Sequence, residues 1–199
     1  MPSAHPTLFD RAAPSTPDGF KYQPGLISSN EEHDLLSHIR TLPFKDFEFH
    51  GFLGKRRIVS FGWRYDFGAR QLQKDDDIPP FLLPLQHRAA AFANLGPTEL
   101  QHVLITEYAP GAAIGWHRDK AVFDEVVGIS MVSPCPFRLR RKAGSKWQRA
   151  TIHLAPRSGY LLSGPARTEW EHSIPPMDQL RYSITFRNFH QTAPSYTTP

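Results

Sequence analysis

Two side chains capable of chemistry, His117 and Asp119, stand two residues apart in the stretch 106–120, TEYAPGAAIGWHRDK. In an extended chain alternate residues share a face, so the imidazole and the carboxylate point the same way, one pleat apart. Together they supply two-thirds of the two-His, one-carboxylate set that holds non-haem Fe(II) and leaves coordination positions open. Alone the pair is a weak signal, because the chain has ten His and a surface His-Arg-Asp turn explains it as well. A further donor stands downstream, His172 in TEWEHSIPP, followed by LRYSITFR at 180–187. That run alternates: Tyr182, Ile184 and Phe186 share one face, Arg181, Ser183, Thr185 and Arg187 the other. Either the strand is amphipathic with one wet face, or two guanidiniums and two hydroxyls point inward. An inward pair of arginines suits a dicarboxylate ligand, since Arg forks onto carboxylates bidentately.

The elements that must position these groups follow from local patterns. Ser28-Ser29-Asn30 before Glu31 and Glu32 starts a helix that runs to about Thr41, buries Leu35, Leu36, Ile39 and Leu42, and ends at Pro43. Residues 47–67 read as a hairpin with Gly51 and Gly54 at its turn, and 71–80 as a polar loop. A second helix at 84–95 uses Leu85, Ala89 and Phe92 and stops at Gly96-Pro97. From Gln101 onward only strands are expected, at 101–109, 113–119, 126–133, 136–142, 147–154, 158–163, 167–173 and 180–189. Helices followed by eight strands give an α+β, mainly β chain built as a jelly roll with helical buttressing. Residues 1–18 and 190–199, rich in Pro, Ser and Thr, are expected to be flexible, which leaves 19–189 as a single domain.

Composition excludes several classes. With 199 residues, 40% of them hydrophobic and 12% aromatic, the chain can bury a full core and is not a disordered segment. No apolar run approaches the roughly 18 residues of a membrane span, and MPSAHPTLFDRAAPSTP lacks the apolar centre of a secretory signal. The one cysteine, Cys135, rules out an intramolecular disulfide and fits a reducing compartment, so a cytoplasmic monomer with no membrane contact is expected. A net charge of +4 permits a polyanionic partner without demanding one.

Two basic stretches bear on that partner. From Phe47 to Tyr65, Lys55, Arg56, Arg57 and Arg64 alternate with Phe49, His50, Phe52, Phe61, Trp63 and Tyr65. Charges for phosphate and rings for bases make a nucleic-acid groove; a hairpin with aromatic core positions and a wet basic turn accounts for the same residues. From Val126 to Thr168 there is no acidic residue, against Arg138, Arg140, Arg141, Lys142, Lys146, Arg149, Arg157 and Arg167. The hairpin about Ala143-Gly144-Ser145 puts Arg138 and Arg140 on one face, and such a one-signed field attracts a phosphate backbone. A basic surface hairpin with no partner stays open as the plainer reading.

Taken together, His117-x-Asp119, His172 and Arg181-x5-Arg187 resemble the AlkB-type branch of the 2-oxoglutarate/Fe(II)-dependent dioxygenases, over about Leu104–Phe189 and more weakly back to about Gly25. The resemblance implies a double-stranded β-helix (jelly-roll) core at 101–189 behind N-terminal helices. His117, Asp119 and His172 would be the iron ligands and catalytic centre. Arg181 and Tyr108 would take the distal carboxylate of 2-oxoglutarate, with Thr106 and Ser183 in the same site and Arg187 by the iron-side carboxylate. The hairpin at about 45–70 stands where the family carries a nucleotide-recognition lid, so Phe52, Arg57, Trp63, Arg64 and Tyr65 are expected to contact substrate, as are Arg138 and Arg140. Thr106 replaces the usual Asn, and Ala121 stands where many demethylases of the family have an acid.

The implied reaction is oxidative removal of N-alkyl groups, of the 1-methyladenine and 3-methylcytosine type, from single- or double-stranded DNA or from RNA. It would use Fe(II), 2-oxoglutarate and O2, with ascorbate as assay reductant, and release formaldehyde, succinate and CO2. A paired base hides its methyl group, so the target would be single-stranded or flipped out. A protein, tRNA or small-molecule substrate, or a catalytically silent nucleic-acid-binding module, stays open because a fold does not fix function.

Overall fold

The computed structural model describes residues 16–49, 52–66, 68–69 and 71–190. Expectations for residues 1–15 and 191–199, and for the turn at Gly51, lie outside the described residues. The elements in order are β1 (Phe20–Gln23), α1 (Ser29–Ile39), β2 (Lys45–Phe49), β3 (Phe52–Asp66), β4 (Gln71–Lys74), a 3-10 turn (Pro80–Leu82), α2 (Leu83–Phe92), β5 (His102–Tyr108), β6 (Ile114–His117), β7 (Phe123–Met131), β8 (Cys135–Ala143), β9 (Lys146–Leu154), β10 (Ser158–Leu162), α3 (Gly164–Thr168), β11 (Glu171–Ile174) and β12 (Arg181–Phe189).

Local chemistry explains the helices. Ser28 Oγ accepts from the Glu31 N–H at 3.2 Å while the Glu31 carboxylate accepts from the Ser28 N–H at 2.8 Å, the reciprocal cap expected at the start of α1. Leu35 and Ile39 of α1 are buried, and with Leu85, Ala89 and Ala90 of α2 they pack against Ile105, Ile129, Ile184 and Phe186. The helices therefore cover one face of a sheet. Among the described residues no helix is long and apolar enough to cross a membrane.

Two antiparallel sheets make the jelly roll. The larger runs β1-β10-β7-β12-β5-β3-β2, with β4 added along β3; the smaller runs β6-β11-β8-β9. Strand β12 lies between β7 and β5 and is buried along its whole length. Tyr182, Ile184 and Phe186 face the helices, and Arg181, Ser183, Thr185 and Arg187 face the space between the sheets. The strand has no wet face, which decides for the inward reading of its arginines. Phe20, Phe137, Leu139, Leu162 and Trp170 form an apolar core on the other side of the larger sheet, away from the helices.

Three segments depart from expectation. Residues 164–168 coil into α3, and strand β11 begins only at Glu171; Gly164 at φ +47° and Pro165 favour a helical start over continued strand. The segment expected to be a polar loop contains β4, an edge strand paired to β3 that buries Leu72. Residues 20–23, for which no element was expected, add β1 to the sheet edge through β10.

Candidate active site

Strands β6 and β11 pair so that His117 lies directly across from His172. Their ring centroids are 4.2 Å apart. Asp119, two residues past the end of β6, sets Oδ2 3.8 Å from His172 Nε2. The loop carrying Asp119 is tied to α3 from both sides: Arg167 donates to the carbonyls of Lys120 and Phe123 at 2.5 and 2.8 Å, and Arg118 donates to the carbonyl of Thr168 at 2.8 Å. His117 Nδ1 is 2.9 Å from the Gly115 carbonyl. A carbonyl only accepts, so Nδ1 carries the proton and Nε2 keeps a free lone pair, the arrangement usual for a metal-binding histidine.

Electrostatics prepare the same donors. Burial pushes the His172 imidazole down to about 3, only partly offset by Asp119, so it is neutral. Burial works against ionisation of Asp119, but the charge of Arg187 holds its carboxyl well below the usual carboxylate range. Arg187 grips Asp119 Oδ1 through Nη2 at 2.8 Å and Nε at 3.0 Å. Among the described residues no group of three or more His, Cys, Asp and Glu side chains is already placed to hold a metal ion. What the three groups offer is the donor chemistry itself: two neutral imidazoles and one carboxylate, a set that fits Fe(II) with positions left open.

The opposite wall is β12. Arg181 is 1% exposed. Its Nε donates to Ser130 Oγ at 3.2 Å and its guanidinium lies 4.9 Å over the Tyr108 ring, yet Nη1 is buried without a partner. An orphaned charged donor in the interior is strongly unfavourable unless an anion reaches it. Ser183 Oγ lies 3.5 Å from the Tyr108 hydroxyl, and Thr106 is buried beside them. Arg181, Tyr108, Ser183 and Thr106 line one cavity of ≈ 600 Å³ with His117, Asp119 and His172. It has two imidazoles and a carboxylate at one side and an unpartnered guanidinium at the other.

Residues 19–187 match the family model of the 2OG-Fe(II) oxygenase superfamily. The chain belongs to that superfamily. It is 28% identical over 176 residues to an Arabidopsis thaliana protein named alkylated DNA repair protein ALKBH8 homolog, covering 76% of this chain and 49% of the relative. It is also 28% identical over 99 residues to the uncharacterized protein L905 of Acanthamoeba polyphaga mimivirus, covering 43% of this chain and 47% of that one. The chain thus spans about half the length of these curated relatives. Among solved structures it is similar to OsALKBH1 (TM-score 0.68, 15% identity, 87% of this chain and 98% of the other) and to a 2OG-Fe(II) oxygenase family oxidoreductase from Burkholderia pseudomallei (0.63, 14%, 86% and 85%). A Pseudomonas putida prolyl-4-hydroxylase shares the fold as well (0.58, 12%, 86% and 93%). The AlkB-type resemblance holds, in sequence with the Arabidopsis protein and in fold with OsALKBH1.

The fold brings His117, Asp119, His172, Thr106, Tyr108, Arg181, Ser183 and Arg187 into one cavity. The expected substrate contacts fare differently. Arg57 points away: it forks onto Glu107 at 2.8 and 2.9 Å. Its neighbour Arg56 lines the cavity instead, with its guanidinium 4.2 Å over the Phe47 ring. Trp63 and Tyr65 pack around Leu72, Phe123 and Phe189, and Arg64 is engaged by Gln73 at 2.9 Å. The Phe52 side chain lies outside the described residues. Strand alternation buries Phe137 and Leu139 and turns Arg138 and Arg140 to the outer face of the smaller sheet, away from the cavity. Arg140 is bonded to Glu171 at 2.6 Å and sandwiched between Trp116 and Trp147, 4.4 Å from each ring.

Arg56, named in the sequence only as part of the basic stretch, lines the cavity with Phe47, and so do His102 and Tyr160, which sequence reading did not single out. For His102 a signal existed: counting back from Tyr108 by twos along β5 reaches Thr106, Leu104 and His102, all on the cavity face. Its imidazole is pushed down to about 3 by burial and by Arg187, whose Nη1 lies 3.5 Å from Nδ1.

Proposed function

We propose that this oxygenase is an oxidative demethylase of alkylated nucleic-acid bases, acting on N-methyl groups of the 1-methyladenine and 3-methylcytosine type in DNA or RNA, with Fe(II), 2-oxoglutarate and O2. The observation that carries the reading is the single cavity that sets two imidazoles and a carboxylate against an orphaned guanidinium. His117, Asp119 and His172 would hold the iron. Arg181 would take the distal carboxylate of 2-oxoglutarate with Tyr108, Ser183 and Thr106 around it, and Arg187 the iron-side carboxylate. When bound, the metal and cosubstrate supply the oxidising power that hydroxylates a C–H bond.

The chain's own residues do the rest. The Gly115 carbonyl fixes the His117 tautomer, so Nε2 is aimed before any metal arrives. Arg187 holds Asp119 ionised and in place. Ile114, Phe123 and Phe137 line the cavity with apolar surface that limits water. At its margin Arg56 over Phe47 offers a cation and a ring to an unstacked nucleotide, and the β2–β3 hairpin that carries them would act as the lid. The naming of the Arabidopsis relative as an alkylated DNA repair protein supports the same substrate class.

The test is formaldehyde release from a single-stranded oligonucleotide carrying 1-methyladenine, with Fe(II), ascorbate and 2-oxoglutarate, beside Asp119→Ala. Release that needs both cofactors and vanishes in the variant is expected. Slow consumption of 2-oxoglutarate with no formaldehyde would overturn the substrate while leaving the oxygenase.

A further inference from the structure

A second cavity, of ≈ 530 Å³, adjoins the catalytic one and shares Arg118 and Asp119 with it. Its other lining residues are Ala121, Arg167, Thr168, Glu171 and His190. Both carboxylates in this lining are taken by arginines from outside it: Asp119 by Arg187 at 2.8 Å and Glu171 by Arg140 at 2.6 Å. The two arginines in the lining are not matched in the same way. Arg118 and Arg167 form no ion pair among the described residues, and their hydrogen bonds run to the neutral carbonyls of Thr168, Lys120 and Phe123.

Arg167 is the more exacting of the two. It is 5% exposed, and its Nε is buried without a partner. Burial works against its charge and Arg187 and Arg118 add to that, while Asp119 and Asp124 oppose it. Asp124 itself faces His190, 3.7 Å from Nδ1. A guanidinium held in this state is costly unless an anion reaches it. Arg118, Ala121 and Thr168 are exposed, so the cavity is entered from solvent.

We propose that the second cavity takes a backbone phosphate of the strand whose base enters the catalytic cavity, with Arg118 and Arg167 as its cations. Forked guanidiniums match the oxygens of a phosphate. The wall shared at Arg118 and Asp119 sets that phosphate beside the base, so the contact fixes the strand's register without reading its sequence. The inference rests on the nucleic-acid reading proposed above.

The test is fluorescence anisotropy on the metal-free protein, which turns nothing over, with a labelled single strand carrying one 1-methyladenine. Each linkage near that base is replaced in turn by the uncharged methylphosphonate. One position is expected to weaken binding about tenfold, as for one hydrogen bond to a charged group, and to lower the salt slope by about one. The same replacement should cost little more in Arg118→Gln, where the contact is already gone. Arg118 also holds Thr168, so Ala121→Glu serves as a second variant that leaves both arginines tied and sets a carboxylate beside them. It should bind the unmodified strand more weakly than Ala121→Gln, which adds the same bulk without the charge. No sensitive linkage in the wild type, or an equal loss in Arg118→Gln, overturns the strand-phosphate site and leaves the nucleic-acid reading standing. If inorganic phosphate still binds by calorimetry in that case, the cavity belongs to free phosphate and not to the strand. A wild-type protein that binds no strand overturns both.

Discussion

The two faces of the smaller sheet carry opposite outcomes from the same strands. On the outer face of β8 and β11 Arg140 is bonded to Glu171 and stacked between two tryptophans, while its neighbour Arg138 keeps a buried Nε without a partner and no cavity reaches it. On the inner face and the wall opposite, polar groups are left over. His117 Nε2 is left over once Nδ1 faces the Gly115 carbonyl, and Arg181 Nη1 has no partner. Both regions are rich in cations and rings, so composition does not tell them apart. A buried polar group without a partner marks a ligand's place only where a cavity reaches it, as at Arg181 and not at Arg138.

Substitutions that break the inner face should have the largest effects. Asp119→Ala is expected to abolish Fe(II)-dependent turnover. It should also lower the unfolding free energy by about 3 kcal/mol in the metal-free protein, because Arg187 is left buried without its carboxylate. Urea denaturation reads the second effect; an unaltered midpoint would mean that the pair is not buried as described. Arg181→Met should raise the 2-oxoglutarate requirement by roughly two orders of magnitude, in line with about 3 kcal/mol for truncating a buried charged donor, without changing nucleic-acid affinity. The reverse pattern would contradict its place on the cosubstrate wall.

Acidity probes the same face more gently. His102 and His172 are both held down to about 3, against 6.5 in an open chain. Between those values the unfolded chain binds protons that the folded protein refuses. Stability is therefore complete above 6.5 and is lost as pH falls through that window. For the metal-free protein the two together give a fall of about 5 kcal/mol between pH 7 and 4.5, and His102→Gln should make it about half as large. A fall of the same size in that variant would take His102 out of the account.

The outer face should respond least. Arg140→Ala is expected to lower stability by about 1 kcal/mol through the lost sandwich, with the 2-oxoglutarate requirement intact. Replacing Lys142 and Lys146 with serine should reduce the salt slope of nucleic-acid affinity by about one for each phosphate that is no longer neutralised. A slope that does not move would make the β8–β9 hairpin a bystander.

Much of the site was legible because it is written along the chain. His117-x-Asp119 sits at a strand end, and the alternation from Arg181 to Arg187 survives because β12 is straight and central. Cross-strand facts were not legible. Whether Arg56 or Arg57 faces the cavity depends on the pairing of β3 with β5, which sets Arg56 opposite Tyr108. Beyond Gly62 the residues change role, because that glycine adopts φ +88° and packs against the Gln101 carbonyl, where a Cβ would fall at 2.1 Å. Trp63, Arg64 and Tyr65 follow that bend and join β4 rather than the cavity. Tyr160 was invisible for the same reason: nothing near it in sequence shows that Gly128, 32 positions earlier, makes room for its ring.

The most direct test of the two-walled cavity is a crystal of the protein soaked anaerobically with Mn(II) and 2-oxoglutarate, with the metal located by anomalous scattering. One metal peak within bonding distance of His117 Nε2, Asp119 and His172 Nε2, and a dicarboxylate reaching from it to Arg181, is the predicted result. A metal held elsewhere, or a dicarboxylate that leaves Arg181 Nη1 unpartnered, would contradict the account.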